Sequence, residues 1–473
     1  MKRLIPVLLL SSSLFSAAQQ APEPDLSKFY SQELLAQLPQ VQQAAMKSDY
    51  ALRELDHLTN NIGPRASGSP QAQAAIEYVA DELRKLGLEV RLEKVMVPHW
   101  VRGTETAELV QYPGQAPNTR QKVVLTALGN SAATPPDGIT AEVVVVSSFR
   151  ELAALGAEKV TGRIVLFNVP FDEREAEMGL AGEAYGTVSR YRGNGGVEAV
   201  KLGAVAALVR AAGGADFRIA HTGYSAPAGI PNASVTAEDA DLIARLSKEG
   251  PARMHLTLTP AKYPDVESYN VVADLKGSEH PEQVVIVSGH LDSWDLGTGA
   301  IDDAARVVMA METAAVVQQL KLRPKRTLRV IAWIDEELRG SGHDAYFKDH
   351  QAEIANHVAA IESDSGAGHP AGFQVAIPPD AIPLLRPVQD VLRGQGATAM
   401  RPGHTGSDIA PLSKAGVPTF GLMQDTRHYF DYHHTPADTF DKVEPQGLAE
   451  NAAAMATLAW ALCNTDQPLP RAK

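Results

Sequence analysis

The stretch Val284-Val285-Ile286-Val287-Ser288-Gly289-His290-Leu291-Asp292 is four β-branched residues followed by two small ones, a histidine and, two positions on, a carboxylate. A short apolar run that stops at polar residues predicts a strand buried on both faces. The pattern recurs. Residues 328–334 form a second run that ends in Asp335-Glu336-Glu337, and residues 358–361 form a third that ends in Glu362-Ser363-Asp364-Ser365. Ala300-Ile301-Asp302-Asp303 and Tyr432-His433-His434-Thr435-Pro436 add two more charged segments. Charged groups at the carboxyl ends of strands occupy the crevice where open α/β sheets bind ligands. Several carboxylates converging there repel one another and are driven toward higher pKa. Divalent cations remove that conflict, so the pattern predicts a two-metal hydrolase of the α/β class. The sheet should be mixed and largely parallel, with helices on both faces.

Working outward, helical spacing predicts helices over 71–86, 304–319, 343–350 and 447–462, and strands over 89–97, 270–275, 283–287, 373–377 and 419–423. Between about 105 and 265 the texture changes to short strands (123–128, 142–146, 163–169) and small-residue helices such as 197–212. Metal-ligand residues do not cluster there, and Gly193-Asn194-Gly195-Gly196 reads as a loop. The organisation predicted is a signal over 1–18, a post-signal or propeptide segment over 19–43 and a first catalytic part over 44–104. An insert over 105–265, a second catalytic part over 266–465 and a tail over 466–473 follow.

The 473 residues exceed what one core normally holds, and the formal net charge of −13 argues against nucleic acid or an anionic membrane as partner. Lys2-Arg3, an apolar stretch from Leu4 to Phe15 and the small residues Ser16-Ala17-Ala18 make a secretory signal, with cleavage expected after Ala18. The stretch is too short for a spanning helix, so no stable membrane anchor is expected, and the product is periplasmic or secreted. Cys463 is the only cysteine, which excludes an internal disulfide and a thiolate zinc cluster.

A pair of catalytic ions needs one bridging carboxylate and, on each ion, a histidine and a further oxygen ligand; the ions then lie about 3.5–4 Å apart and share an activated water. His290, Asp302, Glu337, Asp364 and His434 supply that set. Asp292, on the same side of an extended chain as His290, is expected to accept the other imidazole N–H. Glu336 must do something different from its neighbour, because a general base has to stay unbound.

Ser288–Asp295 with Gly299–Asp303, Arg323-Pro324-Lys325-Arg326-Thr327, Glu336-Glu337, Glu362-Ser363-Asp364 and His433-His434 resemble the plasma glutamate carboxypeptidase, or carboxypeptidase Q, group of the co-catalytic zinc aminopeptidase family. The resemblance spans nearly all of the chain after the signal. It implies a zinc-exopeptidase fold with an inserted protease-associated-like domain and two Zn2+ per chain. His290 and Asp364 would hold one ion, Glu337 and His434 the other, and Asp302 both. Glu336 would be the base that activates the bridging water, and the Asp302–Asp303 peptide would be cis. His404, Ser407 and Asp408, in a loop resembling a substrate-side loop of the family, and Tyr432 are candidates for substrate binding, whereas His343, His350, His357 and His369 read as ordinary histidines. The substrates implied are short peptides, chiefly dipeptides with free termini. A homodimer through the insert is left open.

Three alternatives stay open at this point: an aminopeptidase of the same family, a glutaminyl cyclase with one zinc, and a transferrin-receptor-like binding ectodomain without catalysis. The complete ligand set speaks against the last two. Gly-x-Ser-x-Gly and His-Glu-x-x-His are both absent from the sequence, which disfavours serine-hydrolase and single-zinc protease chemistry.

Overall fold

The run 284–287 lies in the strand His280–His290 of an eight-stranded mixed sheet, in a computed structural model that describes residues 24–214 and 217–471. The expected signal over 1–18 lies outside the described residues. The order across the sheet is Glu89–Val101, Ala261–Leu275, Arg326–Trp333, His280–His290, His357–Glu362, Thr419–Gln424, Pro370–Ala376 and Ala399–Pro402. The four strands from Arg326–Trp333 to Thr419–Gln424 are parallel neighbours, and antiparallel pairs flank them. Register decides where the charged segments meet. His290 is paired with Trp333 and Ser288 with Glu362, so Asp335-Glu336-Glu337 and Asp364 leave the sheet at the level of His290.

Helices cover both faces. On one, Ala305–Gln319 and Pro445–Asn464 are buried almost all round, as helices in the middle of a large core are. The helix Gln32–Lys47 packs on Pro445–Asn464 through Leu34, Leu38, Val41 and Ala45. Residues 32–43 are therefore core, and globular structure begins before Ala44. The expectation of a loose post-signal segment is corrected for this part of it. On the other face Tyr346, from the helix Ser341–Asp349, joins a smaller core with Ile286, Ile331 and Trp333.

A second eight-stranded sheet is made wholly from residues between Glu105 and Leu258. It hangs from the long antiparallel pair Glu89–Val101 and Ala261–Leu275, whose ends meet at Val101 and Ala261. Two local expectations fail inside it. Residues 197–212 are not one helix: the chain leaves the helix Ala181–Val200, turns at Gly203 (φ 83°) and enters the strand Ala206–Arg210. The four buried residues Ala206–Val209 sit between two parallel neighbours, which outweighs the helix propensity of alanine. Nor is Gly193-Asn194-Gly195-Gly196 a loop. It is helical, and a Cβ on Gly196 would lie 2.2 Å from Asn232 Oδ1, so glycine here permits close packing.

The two parts are firmly joined. Trp294 and Leu338, from loops of the first sheet, are buried in the core of the second. Arg102 makes a two-pronged ion pair with Asp295 (2.7 and 2.8 Å) while donating to Ala127 O (2.6 Å) and Thr222 Oγ1 (3.0 Å). Among the described residues no helix is long and apolar enough to cross a membrane.

Candidate metal centre

Asp302 lies at the middle of the site. Its Oδ1 is 3.2 Å from His290 Nε2, and its Oδ2 is 3.1 Å from His434 Nε2. One carboxylate thus offers one oxygen toward each of two imidazoles, as a ligand shared by two cations must. Asp364 Oδ1 stands 4.0 Å from His290 Nε2, and Glu337 Oε2 stands 3.1 Å from His434 Nε2. The ligand-type atoms of His290, Asp302 and Asp364 lie within 4.8 Å of one another, as do those of Asp302, His433 and His434. The five residues singled out in the sequence are brought together, and His433 joins them. Its ring stacks on that of His434 with centroids 3.5 Å apart, and its Nε2 is 3.4 Å from Asp302 Oδ2. None of these side chains comes from residues 105–265.

The donor set fits a borderline-soft divalent cation, being imidazole and carboxylate without thiolate. Glu337 Oε1 is buried without a hydrogen-bond partner, a costly state that a cation would relieve. Electrostatics point the same way. Burial opposes charge on the His434 ring, yet the Glu337 carboxylate and the hydrogen bond to Asp302 push its pKa up to about 9. A field that holds a proton so firmly also attracts a divalent ion. Burial raises the pKa of Glu336 well above the usual carboxylate range; His290 opposes the rise, and the charges of Asp364, Asp408 and Glu337 add to it.

The segments that carry these groups are held from behind. Asp335, at the end of the strand Arg326–Trp333, adopts a left-handed conformation (φ 67°), and its main-chain oxygen accepts the N–H of Gly340 at 2.6 Å. That turn carries Glu336 and Glu337 toward the crevice. His434 is left-handed as well (φ 60°), and its main-chain oxygen accepts the N–H of Thr222 at 2.9 Å. Asp438 Oδ1 accepts the N–H groups of Ala300 (2.8 Å) and Ile301 (2.7 Å), which fixes the backbone before Asp302. The Asp302–Asp303 peptide is cis. Asp303 accepts the N–H of His290 at 2.8 Å and pairs with the buried Arg306.

Asp292 acts differently from expectation. His290 Nδ1 meets the main-chain oxygen of Asp292 at 3.0 Å, while the carboxylate accepts the N–H groups of Glu336 (3.1 Å) and Glu337 (3.3 Å) and the hydroxyl of Ser67 (3.2 Å). The carboxylate is engaged in placing the Glu336-Glu337 turn, and the backbone fixes the imidazole. Arg65 was not singled out in the sequence. Its buried guanidinium donates to Leu291 O (2.7 Å), Thr298 O (2.7 Å), Gly299 O (2.8 Å) and Gly63 O (3.1 Å), and so clamps the loop before Asp302.

A cavity of about 500 Å³, within the range of small-ligand sites, opens onto this cluster. Asp302, Glu336, Glu337, Asp364, His433 and His434 face it, with Leu338, Arg339, Gly340 and His343 along one wall and Tyr185, Arg192 and Tyr224, from the second sheet's part of the chain, along another. Arg192 Nη1 lies 3.3 Å from His434 Nδ1 and donates to the Tyr185 hydroxyl. Sequence reasoning missed these wall residues, since a helix 242 residues before His434 carries no local sign of where it docks. The four substrate-binding candidates fare unequally. His404 is exposed, and Ser407 is half-buried outside the cavity wall. Tyr432 lines a neighbouring cavity with Tyr429 and Lys442. Asp408 is buried behind His343, a residue expected to be ordinary, and accepts from its Nδ1 at 3.0 Å.

Comparison with known proteins places this geometry in context. Residues 270–459 match the model of peptidase family M28. The chain is 38% identical over 420 residues to carboxypeptidase Q of Mus musculus, covering 88% of this chain and 86% of that protein. The crystal structure of a peptidase M28 precursor from Shewanella amazonensis superposes with a TM-score of 0.87 at 34% identity, over 93% of this chain and 99% of that one. A zinc aminopeptidase from Bacillus subtilis gives a TM-score of 0.61 at 19% identity, over 87% of this chain and 94% of that one, a likeness of fold alone.

Proposed function

The chain belongs to peptidase family M28, and from that premise we propose that it is a zinc-dependent exopeptidase that hydrolyses short peptides, chiefly dipeptides with free termini. The observation that carries the reading is the division of the Asp302 carboxylate between His290 and His434. His290 and Asp364 would hold one zinc, His434 and Glu337 the other, and Asp302 both. Bound metal supplies Lewis acidity to the peptide carbonyl and acidity to water.

The chain's own groups do the rest. Glu336 faces the cavity and carries no assigned ligand role, so it is free to take a proton from the attacking water and return it to the leaving amine. Its raised pKa suits that two-way transfer. Asp292 holds the Glu336 and Glu337 N–H groups, so the base and its ligand neighbour stay on their respective sides. Tyr185 and Arg192 close the cavity opposite, where the substrate backbone would lie. The resemblance to carboxypeptidase Q supports the preference for short peptides, and the walled cavity agrees with it.

The test is a panel of dipeptides with N-acetylated and C-amidated analogues, run with and without chelator, beside a measurement of metal per chain. Two zinc per chain and chelator-sensitive cleavage of free dipeptides are expected. One tightly bound zinc with full activity toward N-terminal glutamine would replace this reading by the cyclase. We also propose export through the signal at 1–18, since the mature chain would meet peptides outside the cytoplasm.

A further inference from the structure

The charges around the cavity are of two kinds. The acidic ones, Asp302, Glu336, Glu337 and Asp364, gather at its floor. The wall residues that carry or can carry positive charge are Arg192, Arg339 and His343. Two of the three are already committed. Arg339 is exposed and spends both terminal nitrogens on Asp265 Oδ2 (2.9 Å each), and one of them also on Met96 O (3.0 Å). Arg192 turns Nη1 to the Tyr185 hydroxyl and His434 Nδ1, which places it against the His434 side of the floor.

His343 is built differently. Its side chain is 18% exposed, and its ring lies over the backbone of Gly340, where a Cβ would come within 2.3 Å of Cε1. Its Nδ1 is held at 3.0 Å by Asp408, whose carboxylate is buried and has Oδ2 without a hydrogen-bond partner. Its Nε2 lies 3.6 Å from Asp344, an exposed side chain on the same helix, too far for a hydrogen bond. One ring nitrogen is anchored and the other is left for a ligand. Asp408 itself is fixed by donating its N–H to Glu362 at 3.3 Å.

We propose that His343, oriented by Asp408, is the residue that recognises the free carboxylate of the peptide substrate. This rests on the exopeptidase reading and deepens it by naming the group that selects the terminus. The ring would donate Nε2–H to a carboxylate oxygen, a charge-assisted bond when the imidazole is protonated. The groups facing it are Asp408 from the loop before Ile409, Asp335 from the end of the strand Arg326–Trp333, Asp344 on its own helix, and Glu336 and Arg339 across the cavity. Burial works against its charge, but the bond to Asp408 and the charges of Asp408, Asp344 and Asp335 leave its pKa raised. The sign follows. Recognition is strongest while the ring is protonated and weakens as pH rises through that raised pKa.

The test uses the zinc-loaded enzyme and its His343→Ala and His343→Gln variants. For dipeptides with a free carboxylate, His343→Ala should raise KM about ten- to a hundredfold, the worth of one hydrogen bond to a charged group, with kcat within a few fold of the parent and zinc content unchanged. C-amidated dipeptides should have the same KM in parent and variant. The rise of KM with pH seen in the parent should be absent from both variants, and Gln should recover part of the loss. A KM that is unchanged, or that rises equally for amidated substrates, overturns the proposal while leaving the exopeptidase reading intact. If the parent cleaves no dipeptide, that reading fails, and the proposal is judged by binding. An N-acetyl amino acid should raise the His343 pKa measured by NMR whereas its amide should not, and equal pKa values with both overturn it.

Discussion

Replacing Arg65 by methionine removes a clamp and leaves a side chain of similar length. Arg65 is fully buried and forms no ion pair among the described residues; its donors serve carbonyls, three of them in the loop from Leu291 to Gly299. Burial lowers its pKa to about 10, with Asp438, Asp292, Asp303 and Asp302 resisting the fall, so it is charged at neutral pH. Each hydrogen bond to a charged group is worth about 1.5–3 kcal/mol, which for three would sum to more than such networks yield, because water replaces part of what is lost. Removing one partner of a buried charged network costs about 3–5 kcal/mol, and that is the magnitude expected. Asp302 begins three residues after the clamped loop, so part of the cost should emerge as zinc affinity weakened about 10–100-fold. Competition for zinc against a chelator of known affinity measures this, beside the urea midpoint of each variant. Arg65→Lys should fall between parent and Arg65→Met, since an ammonium lacks the fork that reaches Leu291, Thr298 and Gly299 together. A folded Arg65→Met protein with zinc affinity within twofold of the parent would refute the reasoning.

Three other outcomes are expected. Glu336→Gln should keep its metal and lose about 10²–10⁴-fold in kcat, and a near-normal kcat would remove Glu336 as the base. Asp302→Ala should fall below one zinc per chain by elemental analysis, whereas prolonged chelation of the parent should abolish activity that added zinc restores; activity that survives stripping would end the metal reading. Gly196→Ala should cost about 1–3 kcal/mol in urea unfolding, because the new methyl lies on Asn232, and an unchanged midpoint would mean that the helix shifts freely.

Strand ends were the legible part of this sequence. A buried parallel strand needs an uninterrupted apolar run, and its polar terminus marks the crevice, so His290, Glu337 and Asp364 could be placed before any coordinates. Close packing was not legible. Gly195 and Gly196 look like loop residues until Phe167 and Asn232 are known to press on them. The helix Gln32–Lys47 did leave a signal, with Leu34, Leu38, Val41 and Ala45 at helical spacing, but its glutamines and Pro39 obscured it. Side-chain partners were the least visible. Asp292 was correctly tied to the site and given the wrong contact, because the pull of two N–H groups 44 and 45 residues away exceeds that of a nearby ring and depends on the turn at Asp335. The proposed pairing of His343 with the substrate depends in turn on Asp408, 65 residues along the chain.

The left-handed backbone at Asp335 and His434 bears on how this protein can be improved. Neither residue is glycine, so each conformation costs about 1–2 kcal/mol that a glycine would recover. A laboratory selection for heat resistance would therefore reward glycine at both positions. At 434 it would delete an imidazole of the metal centre, and at 335 it would delete the carboxylate that accepts the N–H of Ser341. Hardier variants recovered by such a selection would be depleted in working enzyme, so engineering here has to screen for turnover from the first round.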